Sequence, residues 1–252
     1  METFNSKMFE NKIAVVTGVT SGIGQAVAVA FAERGAKVWA LGLQAAKAVF
    51  PTSLDIEAVE MDVTDKAAVD TFFAKVDRID TLFNGAGMGS VSEHEAGMGS
   101  VSEHELDTYK KVLEVNLTSV FYISEVAAKA LAKSDNPSII NVSSLYAQFG
   151  SGIAPTYSCS KGAIDQLTFS HALSMAQAKI RVNAVAPGWI DTPLIQPLKD
   201  MPDVFNGIMQ RSPMQRLGKP EEIANVVVFF ASDAASFVNG AIVKVDGAYS
   251  IN

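Results

Sequence analysis

Thr17-Gly18-Val19-Thr20-Ser21-Gly22-Ile23-Gly24 stands between a short β-branched run, Ile13 to Val16, and a stretch from Ile23 to Phe31 whose apolar spacing suits a helix. Glycines at these positions permit a tight turn and let backbone amides approach a pyrophosphate at the helix N-terminus. A glycine-rich turn alone is common; the order strand, turn, helix gives this one its meaning. Its spacing, T-G-x-x-x-G-x-G, differs in its gaps from the general dinucleotide fingerprint.

Outward from this turn, strand and helix patterns alternate. Lys37 to Leu41, Ile56 to Met61, Thr81 to Phe83, Ile139 to Val142, Ile180 to Ala184 and Ile242 to Val245 read as further strands. Long helical stretches lie between them, notably Leu106–Lys133 and Thr156–Ala176, and Gly218 to Glu222 reads as a helix start with proline and acids in the first turn. The expected fold is α/β: a single doubly wound Rossmann-type domain over residues 1–252, its parallel sheet covered by helices on both faces.

Composition narrows the function classes. With 252 residues, 48% hydrophobic and 19% charged, the chain can bury one substantial core. A net charge of −7 argues against nucleic acid or anionic lipid as a partner. A single cysteine, Cys159, excludes an internal disulfide and suits a reducing compartment. Met1 to Asn11 lacks the apolar stretch of a secretory signal, and no apolar run reaches membrane-spanning length. A cytoplasmic protein is expected.

Tyr157-Ser-Cys-Ser-Lys161 follows Ser144 by thirteen residues. On a helix, a tyrosine and a lysine four apart share one face. The ammonium favours the phenolate, lowering the phenol from its usual value of about 10 toward a range where it can give or take a proton. By themselves the two residues are equally a surface aromatic beside a charge.

With these motifs in the same order, the chain resembles the short-chain dehydrogenase/reductase family over nearly its whole length. Asp62-Val63 resembles the pair that contacts the adenine. Asn84-Gly85-Ala86-Gly87 is similar to the family's N-N-A-G, with glycine at the second asparagine. Pro187 to Thr192 resembles the segment that holds the nicotinamide amide. The resemblance implies a catalytic tetrad of Asn116, Ser144, Tyr157 and Lys161. Tyr157 would be general acid or base, Ser144 would hold the substrate oxygen, and Lys161 would also bind the nicotinamide ribose. Asn116 would anchor a proton-relaying water. It further implies cofactor contacts from Gly18, Thr20, Ser21, Gly22, Ile23, Gly24, Gly42, Leu43, Asp62, Val63, Asn84, Ala86, Gly87, Tyr157, Lys161, Pro187, Gly188, Ile190 and Thr192. Homotetramers built on the long helices and the last strand are common in the family.

Two features depart from the family pattern. Gly42, followed by Leu43, stands where NAD enzymes carry an acid and NADP enzymes often an arginine. Ser21 replaces the basic residue often found in the glycine turn, and Lys47, the nearest cation, lies beyond the strand. The reading favours NAD(H) and leaves NADP(H) open. Residues 86–105 are a tandem repeat, AGMGSVSEHE twice over. Removing one copy restores ordinary family spacing, so the repeat reads as a loop insertion near the cofactor cleft, tolerated because loop-closure entropy grows slowly with length. His94 and His104 lack a recognised metal-ligand spacing, and no metal is expected.

Residues 194–212 lie where the family places a substrate lid, with apolar spacing suited to an amphipathic cover. Tyr146, Gln148, Trp189, Leu194 and Ile208 are candidate pocket residues, and Lys199 and Arg211 are candidate partners of a carboxylate. The expected activity is hydride transfer between a nicotinamide cofactor and a small secondary alcohol or ketone, including hydroxy acids and sugar acids. A 3-oxoacyl-carrier-protein reductase is the alternative enzyme, although no basic docking patch for an acidic carrier is evident. A catalytically inactive nucleotide-binding sensor or interaction protein is the alternative of another class, but such a protein should have lost part of the tetrad.

Overall fold

Alternation along the strands sorts the apolar side chains into two layers. Successive strand residues point to opposite faces, so Ala14 and Val16 pack on one side of the sheet while Val15 packs on the other. Phe83 against Leu82, and Ile140 against Ile139, divide in the same way. Both faces are therefore apolar, and both must be covered.

A computed structural model describes residues 5–89, 105–152 and 154–252. Seven strands form one sheet: β1 Ile13–Thr17, β2 Lys37–Gly42, β3 Ile56–Glu60, β4 Thr81–Asn84, β5 Ser138–Val142, β6 Arg181–Pro187 and β7 Ile242–Val245. Their order is β3-β2-β1-β4-β5-β6-β7, with every neighbouring pair parallel. Helices α1 (Gly22–Ala32) and α8 (Pro220–Ala231) cover one face through Val27, Phe31, Ile223, Val227 and Phe230. Helices α2 (Lys66–Phe73), α4 (Ser119–Leu131) and α5 (Pro155–Ser174) contribute Val69, Phe73, Ile123, Leu131 and Ala172 to the other. Each large apolar side chain so buried contributes ~1.5–3 kcal/mol. The fold is the doubly wound α/β domain expected from the alternating pattern. Among the described residues, no helix is long and apolar enough to cross a membrane.

The long helix expected over Leu106–Lys133 is interrupted. Helix α3 (Leu106–Leu113) passes into a π-helical turn, Glu114–Thr118, before α4 begins. Asn116 sits inside this turn, and its buried bonds to Met88 and Ser160, described below, accompany the break. Two short helices, α6 (Gln196–Lys199) and α7 (Pro202–Arg211), occupy the segment expected to form a lid. The repeat lies largely outside the described residues: of its twenty positions Ala86–Gly89 and Glu105 are described, and 90–104, with His94 and His104, are not.

The strand order reverses direction between β1 and β4, and the connections leaving these strands diverge there to open a crevice at their carboxyl ends. Thr17 joins the two sides: its hydroxyl oxygen accepts the Gly85 and Ala86 N–H groups at 3.0 and 3.1 Å. Gly24 lets α1 approach the turn, since a Cβ there would lie 2.2 Å from the Gly18 carbonyl oxygen. Backbone cannot yield to that contact without moving the turn. We expect Gly24→Ala to lower the free energy of unfolding by about 2–3 kcal/mol, measured by denaturant titration.

Candidate active site

The crevice is a cavity of about 1120 Å³. Its walls include Gly18, Thr20, Ser21, Gly22, Ile23 and Gly24 from the glycine turn, Gly42 and Leu43 after β2, and Asp62 and Val63 after β3. Ala86, Gly87, Pro187, Gly188, Ile190 and Thr192 line it further along, as do Ser144, Tyr157, Lys161 and Leu194. Residues separated by more than a hundred positions in sequence thus face one space.

Helix α5 presents Tyr157 and Lys161 one turn apart. The Lys161 ammonium lies 5.5 Å from the centre of the Tyr157 ring and donates to the Val142 carbonyl at 2.8 Å. Lys161 is only 4% exposed. Burial drives its pKa down from 10.5 to about 8, against the opposing charge of Asp165. The Asp165 carboxyl is itself pushed up by burial, a shift countered by the Ser143 hydroxyl at 2.5 Å and by Lys161. Sequence reading missed Ser143 and Asp165; the acid one turn beyond the lysine was the available signal.

Ser144 caps a 3₁₀ turn, Leu145–Ala147, accepting the Tyr146 N–H at 3.2 Å. That bond leaves its own O–H uncommitted among the described residues. Asn116 is fully buried. Its side-chain oxygen accepts the Met88 N–H, and its amide nitrogen donates to the Met88 carbonyl, both at 2.8 Å. The second amide hydrogen goes to Ser160 on α5 at 3.1 Å. The side chain thus ties the loop after β4 to the helix carrying Tyr157, which requires the π turn to direct it inward. Both its donors are committed, so the side chain has no N–H left for the water expected from the resemblance.

Asn84 corrects another expectation. It faces the interior, where its amide donates to Ser124 at 3.1 Å and Asn141 at 2.9 Å, and Asn141 continues to Thr168 at 3.0 Å. This ladder joins α4, β4, β5 and α5; Asn84 is absent from the cavity wall because the strand alternation turns it into the protein. Gln148 is also displaced from its expected role, being exposed and outside the cavity lining. Tyr146, Trp189 and Ile208 lie behind the wall in an apolar cluster with Tyr249. Tyr146 connects that cluster to the cavity, its ring meeting Tyr157 edge-on at 6.2 Å. Lys199 is paired with Asp191 at 2.5 Å, whereas Arg211 lies over Tyr249 and Phe149 at 4.6 and 5.3 Å.

A nicotinamide dinucleotide fits these residues. The glycine turn offers a closely approachable backbone at the start of α1, and the buried Lys161 ammonium has only one acceptor among the described residues. Chemically, the site can place a hydroxyl donor, a phenol and a cation around one substrate oxygen. Confining that cation has a thermodynamic signature. Because the folded pKa lies below the unfolded value, the destabilisation is full below about pH 8 and is relieved as pH rises toward 10.5. Lys161→Met should therefore unfold at a higher temperature than the parent at pH 7, with up to about 3 kcal/mol gained, and the difference should shrink between pH 8 and 10.5 in calorimetry.

A family model described as Enoyl-(Acyl carrier protein) reductase matches residues 18–250. Cis-4-hydroxycyclohexanecarboxylate dehydrogenase of Sinomonas cyclohexanicum is 39% identical, with 96% of this chain and 98% of the relative covered. The 2-dehydro-3-deoxy-D-gluconate 5-dehydrogenase of Pseudoalteromonas atlantica is 36% identical over 95% of this chain and 96% of its own. The crystal structure of a protein described as a putative NAD(P)-dependent gluconate 5-dehydrogenase from Beutenbergia cavernae, with bound NADP, superimposes with a TM-score of 0.87 at 29% identity, covering 98% of this chain and 100% of that one. With this fold and this site, the chain belongs to the short-chain dehydrogenase/reductase family and is a nicotinamide-dependent oxidoreductase acting on CH–OH groups.

Proposed function

We propose that Tyr157 is the proton-transferring group of this enzyme and that its substrate is a small secondary alcohol, or the matching ketone, bearing a carboxylate. The observation that carries the first part is the placement of Tyr157, Lys161 and Ser144 on one wall of the cavity that begins at the glycine turn. Bound there, the nicotinamide supplies or accepts the hydride. Ser144 donates to the substrate oxygen and holds it beside the phenol. Tyr157 takes the hydroxyl proton during oxidation and returns it during reduction. Lys161 holds positive charge next to the phenol, favouring the phenolate, and offers its remaining hydrogens to the nicotinamide ribose. Asn116 keeps the loop after β4 registered against α5, so that these distances persist.

Support for the carboxylate comes from Arg211, which lies over Phe149 and Tyr249 of the cluster behind Tyr157 and stands outside the cavity lining itself. Among the described residues it faces two aromatic rings and no acid, while Lys199 is neutralised by Asp191. A guanidinium placed over rings still offers a fork that matches a carboxylate. The names of two relatives, a hydroxycyclohexanecarboxylate and a deoxygluconate dehydrogenase, describe substrates of that kind. Residues 194–212 act as the cover, with Leu194 on the cavity wall and Ile208 buried beneath. NAD(H) is the preferred cofactor in this reading, and the protein is a cytoplasmic homotetramer. Support for assembly comes from apolar side chains left in water on α4 and α5, namely Phe121, Phe169 and Leu173.

The test is a panel of secondary alcohols, with and without carboxylates, offered with NAD or NADP while reduced nicotinamide is followed by absorbance. Turnover should favour cyclic or open-chain hydroxy acids, and Tyr157→Phe should lower kcat by about a thousandfold or more while cofactor affinity stays within a few-fold. Full turnover by Tyr157→Phe would remove the tyrosine from the mechanism. Cofactor binding without turnover of any alcohol would favour a sensor.

A further inference from the structure

Gly42 leaves the end of β2 without the acid that would repel a 2′-phosphate, yet that position is not without negative charge. Gly42 is paired in register with Glu60, the last residue of β3. The Glu60 carboxylate reaches across to the loop leaving β2, accepting the Gln44 N–H at 2.8 Å with one oxygen and the Ala45 N–H at 3.0 Å with the other. Gln44 adopts a left-handed conformation, with φ of 56°, and a three-residue 3₁₀ turn follows from Ala45. The two N–H groups at the head of that turn, which have no partner within the turn, are thus both bonded to Glu60. On the other side, the Thr20 hydroxyl donates to the Leu43 carbonyl at 2.6 Å, fixing the loop to the glycine turn. Lys47, in the same turn, donates to the Gln44 side-chain oxygen at 2.8 Å.

We propose that Glu60 is the cofactor-discriminating residue of this chain, replacing from β3 the acid absent at Gly42. This rests on the reading that the cavity holds a nicotinamide dinucleotide with its adenine ribose beside Gly42 and Leu43. A 2′-phosphate there would need backbone donors or a cation. The Gln44 and Ala45 N–H groups, just beyond the cavity lining at Gly42 and Leu43, are already bonded to the Glu60 carboxylate, and that carboxylate opposes a second anion beside them. NAD(H), with a 2′-hydroxyl, meets neither obstacle. The acid lies outside the position where cofactor choice is usually read, because its effect depends on strand register and not on sequence distance.

Direct binding tests this without relying on turnover. NADH and NADPH would each be titrated into the wild-type protein, Glu60→Gln and Glu60→Gln/Gly42→Asp, following the fluorescence of the reduced nicotinamide. Wild type should bind NADH about tenfold or more tightly than NADPH, and Glu60→Gln should narrow that ratio by about fivefold or more, chiefly through tighter NADPH. Restoring an acid on β2 should widen it again; a Cβ at Gly42 would meet Thr20 Oγ1 at 3.2 Å, a contact a side chain can relieve. Should Glu60→Gln fail to fold, wild type alone remains informative: raising salt should screen the repulsion and narrow the ratio. Equal loss of both affinities in Glu60→Gln would make Glu60 a loop clamp only and overturn the proposal. So would tighter binding of NADPH than NADH by wild type, or a ratio indifferent to salt. Binding of neither nucleotide by folded wild-type protein would overturn the dinucleotide reading itself, and this inference with it.

Discussion

A lysine ammonium held out of water is the interaction on which the site depends. Lys161 is buried against the carboxyl end of β5, with the Val142 carbonyl as its described acceptor and Asp165 as a nearby opposite charge. Burial of a cation opposes folding, and here it lowers the lysine pKa to about 8. The rest of the domain holds the ammonium there nonetheless. The polar ladder from Ser124 through Asn84 and Asn141 to Thr168 locks α5 onto the sheet, and Asn116 ties the same helix to Met88. The positions of Tyr157 and Lys161 are thus set by buried amides that line neither the cavity nor the phenol.

The same division between setting and acting recurs at the cofactor end. Thr17 fastens the glycine turn to the loop after β4, and Thr20 fastens it to Leu43. Glu60 completes the frame from a third strand. These bonds fix backbone amides before any ligand arrives, so less ordering is required on binding.

Much of this was legible because it is local. The glycine turn announces itself by φ-permissive residues between a β-branched run and a helix, and Tyr157 and Lys161 share a face through the helical repeat. What escaped depends on tertiary partners. The helix over Leu106–Lys133 looked continuous because nothing local shows Asn116 reaching Met88 and opening a π turn. Asn84 belonged to a recognisable motif, but the strand turns its side chain into the core, one residue before the chain reaches the cavity. Lys199 and Arg211 looked alike as cations until Asp191 was seen to neutralise only one. Glu60 was invisible for the same reason: its importance lies in register with Gly42.

The most direct test of the central claim is the pH dependence of carbonyl reduction in single turnovers, compared between wild type and Lys161→Arg. If the buried ammonium supports proton delivery, wild-type rate falls as pH rises through about 8, where Lys161 loses its proton. A guanidinium keeps its charge throughout that range, so the fall should disappear in Lys161→Arg. A break at the same pH in both proteins would show that another group controls proton transfer and would contradict the account.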